Sequence, residues 1–291
     1  MPGGKASRSL LYKNSLLNDM SYKFNPLDSR LIFVKPERLC YGSTWNEHVP
    51  FAMLLTELQR PTMIVELGSQ WGVSYCAFCQ AVKAIGLDSK CCAVDTWAGD
   101  THTGRYEDEI FEDLRDHHKQ YESFSKLLRM TFDEALQHIP DGSVDLLHID
   151  GLHTYEAVKH DYETWLPKMS EKGIVLFHDT MVKEREFGVH QLWNELSLKY
   201  SHFNFEHGFG LGILLTGRNQ PQSVTGFMET ANNNSSAIRE LFSTLGRRLQ
   251  LEIVNKEIEP QTKRLIDYRV GNAILRPPRM LKRLLTGKQA R

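Results

Sequence analysis

The stretch that most constrains the fold runs from Val144 to Thr180, VDLLHIDGLHTYEAVKHDYETWLPKMSEKGIVLFHDT. It holds two short apolar runs, Val144–Ile149 and Gly173–Phe177. Each ends abruptly in ionisable residues: Asp150 after the first, His178 and Asp179 after the second. Such runs, β-branched or aliphatic and bounded by turn signals, are the pattern of strands buried on both faces of a parallel sheet. Between them, Thr154 to Leu166 carries Tyr155, Val158, Tyr162, Trp165 and Leu166 at helical spacing. The stretch therefore predicts a strand–helix–strand unit of the parallel kind. Open α/β sheets bind ligands at the carboxyl ends of their strands, which is where Asp150, His153, His178 and Asp179 fall.

The remaining chain, 291 residues in all and 41% hydrophobic, allows one large domain with extensions or a domain plus a small second unit. A net charge of −1 gives no bias toward nucleic acid, and none is expected as a partner. Cys76 and Cys79 have the spacing of a redox or metal pair. They lie inside an apolar run from Tyr75 to Ile85, where small buried hydrophobes fit better. The sequence shows no signal peptide and no apolar run long enough to span a bilayer, so the cytoplasm is the expected compartment.

Residues 1–45 read as an N-terminal arm, polar and weakly periodic to about Leu31, and Asn46 to Arg60 reads as a helix closed by Pro61. An apolar strand from Met63 then enters Glu66-Leu67-Gly68-Ser69-Gln70-Trp71-Gly72, and a helix follows to Ile85. Gly68 suits a tight turn, both glycines let a ligand approach the backbone, and the helix start offers unpaired N–H groups. Gln70 stands where a dinucleotide loop has its middle glycine. A second strand, Cys91 to Asp95, ends in a carboxylate suited to accept bonds from both ribose hydroxyls of a nucleoside. Thr96 to Gly104 reads as a mobile loop over the site, with Trp97 placed to cover an adenine or a substrate ring.

Further strands are expected at Lys126–Met130, Phe203–Glu206 and Gly210–Leu215, giving five parallel strands and then an antiparallel pair. The main domain then spans 46–218. After a polar linker at Asn232–Ser236, a helical basic extension is expected over 232–291, with an apolar stripe from Ile238 to Ile253. Six basic residues and no acidic one follow from Arg276. The stripe is expected to be covered by packing on the domain or by self-association as a homo-oligomer. Peripheral contact of the tail with an anionic inner-membrane face ranks second.

A strand ending in E-x-G-x-x-x-G, followed by a strand ending in Asp, resembles the nucleoside-binding half of class I S-adenosylmethionine-dependent methyltransferases. The run I-D-G-x-H-x-Y-E-x-V-x-x-D, then W-x-P and a strand ending in H-D, resembles the bacterial macrocin-type and cephalosporin-hydroxylase-like O-methyltransferases of surface-polysaccharide clusters. The resemblance covers about Trp45 to Gly217. It implies a Rossmann-like α/β fold with a mostly parallel seven-stranded sheet, helices on both faces and S-adenosylmethionine as cofactor. The cofactor site it implies is Glu66, Gly68, Ser69, Gly72, Asp95, Thr96 and Trp97. It also implies a divalent ion such as magnesium or manganese on Asp150, His178 and Asp179, with Asp150, His153 and His178 as catalytic residues. The relatives usually carry an acidic pair on the fifth strand, and this chain has His178-Asp179. Imidazole suits zinc, iron or manganese better than magnesium; otherwise His178 serves as a general base without metal. The implied acceptor is a glycan or another small hydroxyl-bearing molecule. Two other classes fit the pattern: an NAD-dependent oxidoreductase, which the missing middle glycine disfavours, and a non-catalytic cofactor-binding module in a glycan-biosynthesis complex.

Overall fold

A computed structural model of the chain describes residues 24–102, 104–184 and 186–275, with side chains through residue 256. Seven strands form its main sheet: β1 (Met63–Leu67), β2 (Lys90–Asp95), β3 (Ser125–Arg129), β4 (Val144–Ile149), β5 (Met169–His178), β6 (Ser201–Phe205) and β7 (Leu211–Leu215). Their order is β3-β2-β1-β4-β5-β7-β6. β1 pairs parallel with β2 and β4, and β7 runs antiparallel to both β5 and β6. The chain leaves β1 for β2 and β3 on one side, then returns to place β4 on the other. That reversal opens a crevice at the carboxyl ends of β1 and β4.

The elements form for local reasons visible in the sequence. All six residues of β4 are buried: Val144, Leu146, Leu147 and Ile149 as apolar side chains, Asp145 and His148 as hydrogen-bonded ones. The helices of more than one turn are α1 (Val49–Gln59), α2 (Val73–Ile85), α3 (Asp108–His118), α4 (Tyr155–Trp165), α5 (Val189–Ser197), α6 (Gln222–Asn233) and α7 (Ser235–Leu275). Thr154 caps α4 by accepting from the Ala157 N–H. Left-handed Gly86 ends α2. The sheet separates two apolar cores. One packs α1, α2, α6 and α7 against one face; the other packs α4 and α5 against the opposite face.

Two expectations are corrected, and the packing expected of the C-terminal stripe is seen. The N-terminal arm is packed from Phe24 onward: Phe24 meets the Phe227 ring edge-on at 5.1 Å, and Leu31 and Ile32 are buried. Asn232–Ser236 is not a linker, because α6 and α7 abut with only Asn234 between them. The α7 stripe packs back on the domain through Ile238, Phe242, Leu249 and Ile253, which are buried, and Phe51 meets Phe242 at 5.5 Å. Gly246 allows this approach, since a Cβ there would overlap the Glu47 backbone. The basic cluster from Arg276 to Arg291 lies outside the described residues. No helix among the described residues is long and apolar enough to cross a membrane.

Candidate active site

The crevice holds a cavity of about 440 Å³ whose walls come from the ends of β1, β2, β4 and β5. One half is built by the turn after β1. Gly68 and Gly72 take φ of +85° and +72°. A Cβ on Gly68 would overlap the Asp150 carbonyl, and one on Gly72 would overlap the Leu114 side chain. The glycines are therefore demanded by the protein's own neighbours, not by a ligand.

Asp95 clamps this turn. Its Oδ2 accepts from the Ser69 and Gln70 N–H groups, each at 2.9 Å, and its Oδ1 accepts from the Trp97 N–H at 2.7 Å. A carboxylate offers about four acceptor directions, so roughly one remains toward the cavity that Asp95 lines. Arg38 holds the same turn from outside, donating through Nε to the Trp71 carbonyl and through Nη2 to Asp113 at 2.6 Å.

The other half is a compact cluster of two carboxylates and two imidazoles. His153 Nε2 lies 2.8 Å from Asp179 Oδ2 and 3.6 Å from Asp150 Oδ1. His178 Nδ1 lies 3.2 Å from Asp150 Oδ1, and its Nε2 bonds the Gly208 carbonyl at 3.0 Å. Burial alone would lower the His153 imidazole, but hydrogen bonds and charges from Asp150 and Asp179 overcome it and push it up to about 9. For His178, burial is again opposed and outweighed by the Asp150 and Asp179 charges, which raise it well above the ordinary range. Burial acts against Asp150 too, yet the His178 charge and the two imidazole hydrogen bonds hold it well below the usual carboxylate range. The cluster is thus a quartet of two imidazoles and two carboxylates, each kind favouring the charged form of the other.

This quartet can also present a cation site. Ligand atoms of Asp150, His153 and Asp179 all lie within 4.8 Å of one another. Asp179 Oδ1 is buried with no hydrogen-bond partner among the described residues; it stands 3.4 Å from His178 Nδ1 without hydrogen-bond geometry. Asp179 also adopts φ of +60°, a left-handed conformation that a non-glycine residue holds at a cost.

The structure brings Gly68, Ser69, Asp95, Thr96, Asp150, His153, His178 and Asp179 into the walls of one cavity. Three residues of the expected cofactor set stand back from it. Glu66 is fully buried and bonds His148 and Ser69. Gly72 packs on Leu114 as the N-cap of α2. Trp97 does not cover the cavity: it is 1% exposed beneath the turn, its Nε1 donating to the Gln70 carbonyl at 2.9 Å. In the cation set, His153 joins Asp150 and Asp179; His178 Nδ1 also faces both carboxylates, at 3.2 and 3.4 Å, with its Nε2 bonded to the Gly208 carbonyl.

Sequence reasoning missed other wall residues. Gly42 to Trp45 come from the segment read as an arm. His102 and Phe187 lie nearly parallel to the His153 ring, with centroids at 5.6 and 4.5 Å. Trp71 and Phe209 stand at the cavity 36% and 55% exposed, as apolar faces open to solvent. Gly208 and Gly210 flanking Phe209 were the available signal for a sharp, presented turn.

A family described as a methyltransferase domain matches residues 65–180, from β1 to just past β5. An uncharacterised Sinorhizobium fredii protein, y4gI, is 42% identical over 258 residues, covering 84% of this chain; the chain spans only 28% of that relative's length. The O-methyltransferase TomG of Streptomyces achromogenes, solved in complex with SAM, is 14% identical with a TM-score of 0.44, over 71% of this chain and 95% of that one. The SAH-bound methyltransferase PaMTH1 of Podospora anserina is 12% identical with a TM-score of 0.44, over 74% and 99%. At that distance neither structure bears on the chemistry. The strand order, the turn after β1 and the family match agree: the chain has a Rossmann-like methyltransferase fold, and residues 65–180 match the methyltransferase-domain family.

Proposed function

We propose that the chain is an S-adenosylmethionine-dependent O-methyltransferase acting on a sugar hydroxyl of a bacterial surface glycan or glycosylated product. The observation that carries the reading is that one cavity joins the Gly68–Gln70 turn and Asp95 to the Asp150, His153, His178 and Asp179 cluster. The cavity volume of about 440 Å³ is in the range for a small-molecule site. Ser69, Gln70, Asp95 and Thr96 would hold the cofactor, which supplies an electrophilic sulfonium methyl. Asp150, His153 and Asp179 would hold a divalent ion, whose chemistry is to lower the pKa of a hydroxyl. The chain's own residues fit such an ion, since they offer two carboxylates, an imidazole and one unsatisfied buried oxygen.

Methyl transfer is an in-line displacement, so the acceptor hydroxyl must give up its proton as its oxygen attacks. Hydrogen bonds and charges from Asp150 and Asp179 favour the protonated form of both His153 and His178, which works against either acting as the base. The Asp150–Asp179 pair favours a cationic partner, and a metal would compete with the His153 proton for it. The exposed rings of Trp71 and Phe209 offer apolar platforms of the kind sugar faces stack on. The macrocin-type resemblance supports the glycan acceptor. The test is transfer of labelled methyl from S-adenosylmethionine to candidate glycans, with and without divalent metal. Absence of transfer to any glycan, with transfer to a non-sugar hydroxyl, overturns the acceptor class. The rest of a protein as long as the Sinorhizobium relative would add activities of its own.

A further inference from the structure

Two fully buried ionisable residues, Glu66 and His148, take no part in that chemistry, although both sit on the strands that frame the cavity. They belong to one continuous chain of hydrogen bonds. Trp45 Nε1 lies 3.2 Å from His148 Nε2. An indole N–H can only donate, so His148 Nε2 accepts and Nδ1 carries the proton. That Nδ1 donates to Glu66 Oε2 at 2.8 Å, and Glu66 Oε1 accepts from the Ser69 hydroxyl at 2.6 Å. Ser69 lines the cavity, and its backbone N–H is the one held by Asp95. Every member has its partner, so the chain specifies one arrangement of the turn after β1.

The outer end of this chain is fixed from beyond the matched domain. Trp45 is followed by Asn46, fully buried, whose Nδ2 lies 2.7 Å from the Cys40 carbonyl and 2.8 Å from the Ser43 carbonyl. Gln250, on α7, clamps the same segment from the other side. Its Nε2 donates to the Ser43 carbonyl at 3.2 Å, and its Oε1 lies 3.0 Å from Asn46 Nδ2. Gly246, one turn earlier, lets α7 lie directly on the Glu47 backbone.

We infer that Trp45, His148 and Glu66 form a positioning relay through which α7, by way of Gln250, sets the Ser69 turn. Packed and hydrogen-bonded elements transmit such coupling when they are contiguous, as these are. His148 and Gln250 are positioning residues. The relay itself does not depend on the methyltransferase reading; only its effect on cofactor binding rests on it.

The test is amide hydrogen exchange on the full chain, comparing peptides over 66–74 with sheet peptides over 174–177 and 211–215. Gln250→Leu, made at the partly exposed end, is expected to speed exchange over 66–74 by about threefold and leave the sheet peptides unchanged. His148→Leu is expected to speed it by about tenfold, and His148→Gln, which keeps one acceptor and one donor, to return it near the wild-type rate. In the same series the dissociation constant for S-adenosylmethionine should rise and recover in parallel. The relay is overturned if Gln250→Leu leaves 66–74 at the wild-type rate. It is equally overturned if the sheet peptides accelerate as much, or if leucine and glutamine at 148 behave alike. Exchange needs no ligand, so a chain that binds no S-adenosylmethionine would sink the functional reading while the relay is still decided.

Discussion

Asp95 separates two roles that the sequence merges. Read alone, it is a ribose partner, and its removal would matter only when cofactor is bound. The structure gives it a second task, because it accepts three backbone N–H groups, from Ser69, Gln70 and Trp97. Asp95→Ala leaves those three donors without their acceptor. At about 1 kcal/mol for each net hydrogen bond, the loss is about 3 kcal/mol in the ligand-free protein. For a chain of this size each kcal/mol moves the melting temperature by about 2 °C, so a fall of about 6 °C is expected before any ligand is added. Asp95→Asn keeps one carbonyl oxygen but sets an amide donor against one N–H, and should fall between alanine and wild type. The assay is thermal melting without ligand, followed by calorimetry with S-adenosylmethionine. A ligand-free Asp95→Ala protein that melts with the wild type refutes the clamp, whatever happens to cofactor affinity.

Three further outcomes are expected. His153 is raised to about 9 in the folded chain, against about 6.5 unfolded, so the stability it contributes is full below about pH 6.5 and lost as pH rises through about 9. Melts of chelated protein should therefore decline over that window, and less steeply in His153→Gln; equal slopes would contradict the cluster. Asp161, buried on α4, is raised to about 7 chiefly by desolvation, so its charge destabilises the fold, fully above about pH 7 and vanishingly toward pH 4. Asp161→Asn should therefore gain about 1–3 kcal/mol at pH 8, read as a higher melting temperature, and a loss at pH 8 would show that the carboxylate is partnered. Gly246→Leu, whose side chain would run into the Glu47 backbone, should cost at least about 1–3 kcal/mol and make α7 protease-sensitive; a wild-type digestion pattern would refute the close approach.

The strands and the α4 unit were legible because their signals are local. A run such as Gly173–Phe177, with no polar side chain, favours burial by itself, and Thr154 is a cap by its own hydroxyl. Asp150, His153, His178 and Asp179 were legible together because parallel strands carry their last residues to one edge. What the sequence concealed depends on partners far along the chain. Trp97 looks like a lid until the Gln70 carbonyl, 27 positions away, is seen to hold it down. Trp45 looks like part of a loose arm until His148 is found beneath it, 103 positions on. The part His153 plays in the cation set was concealed in the same way, because it rests on Asp179, 26 positions on.

The packing of α7 on the opposite end of the described chain also has a consequence for how the protein is made. Phe24, Phe51, Phe227 and Phe242 meet in one aromatic cluster, so the core on that face joins residues more than two hundred positions apart. A ribosome adding about 5–20 residues per second would need roughly 4–15 s to pass from His178 to Ile253, the last buried residue of the stripe. Until then the strands at residues 63–178 exist without the helix that covers α1 and braces Trp45. Through that interval Phe51 lacks the Phe242 ring that packs against it in the finished fold.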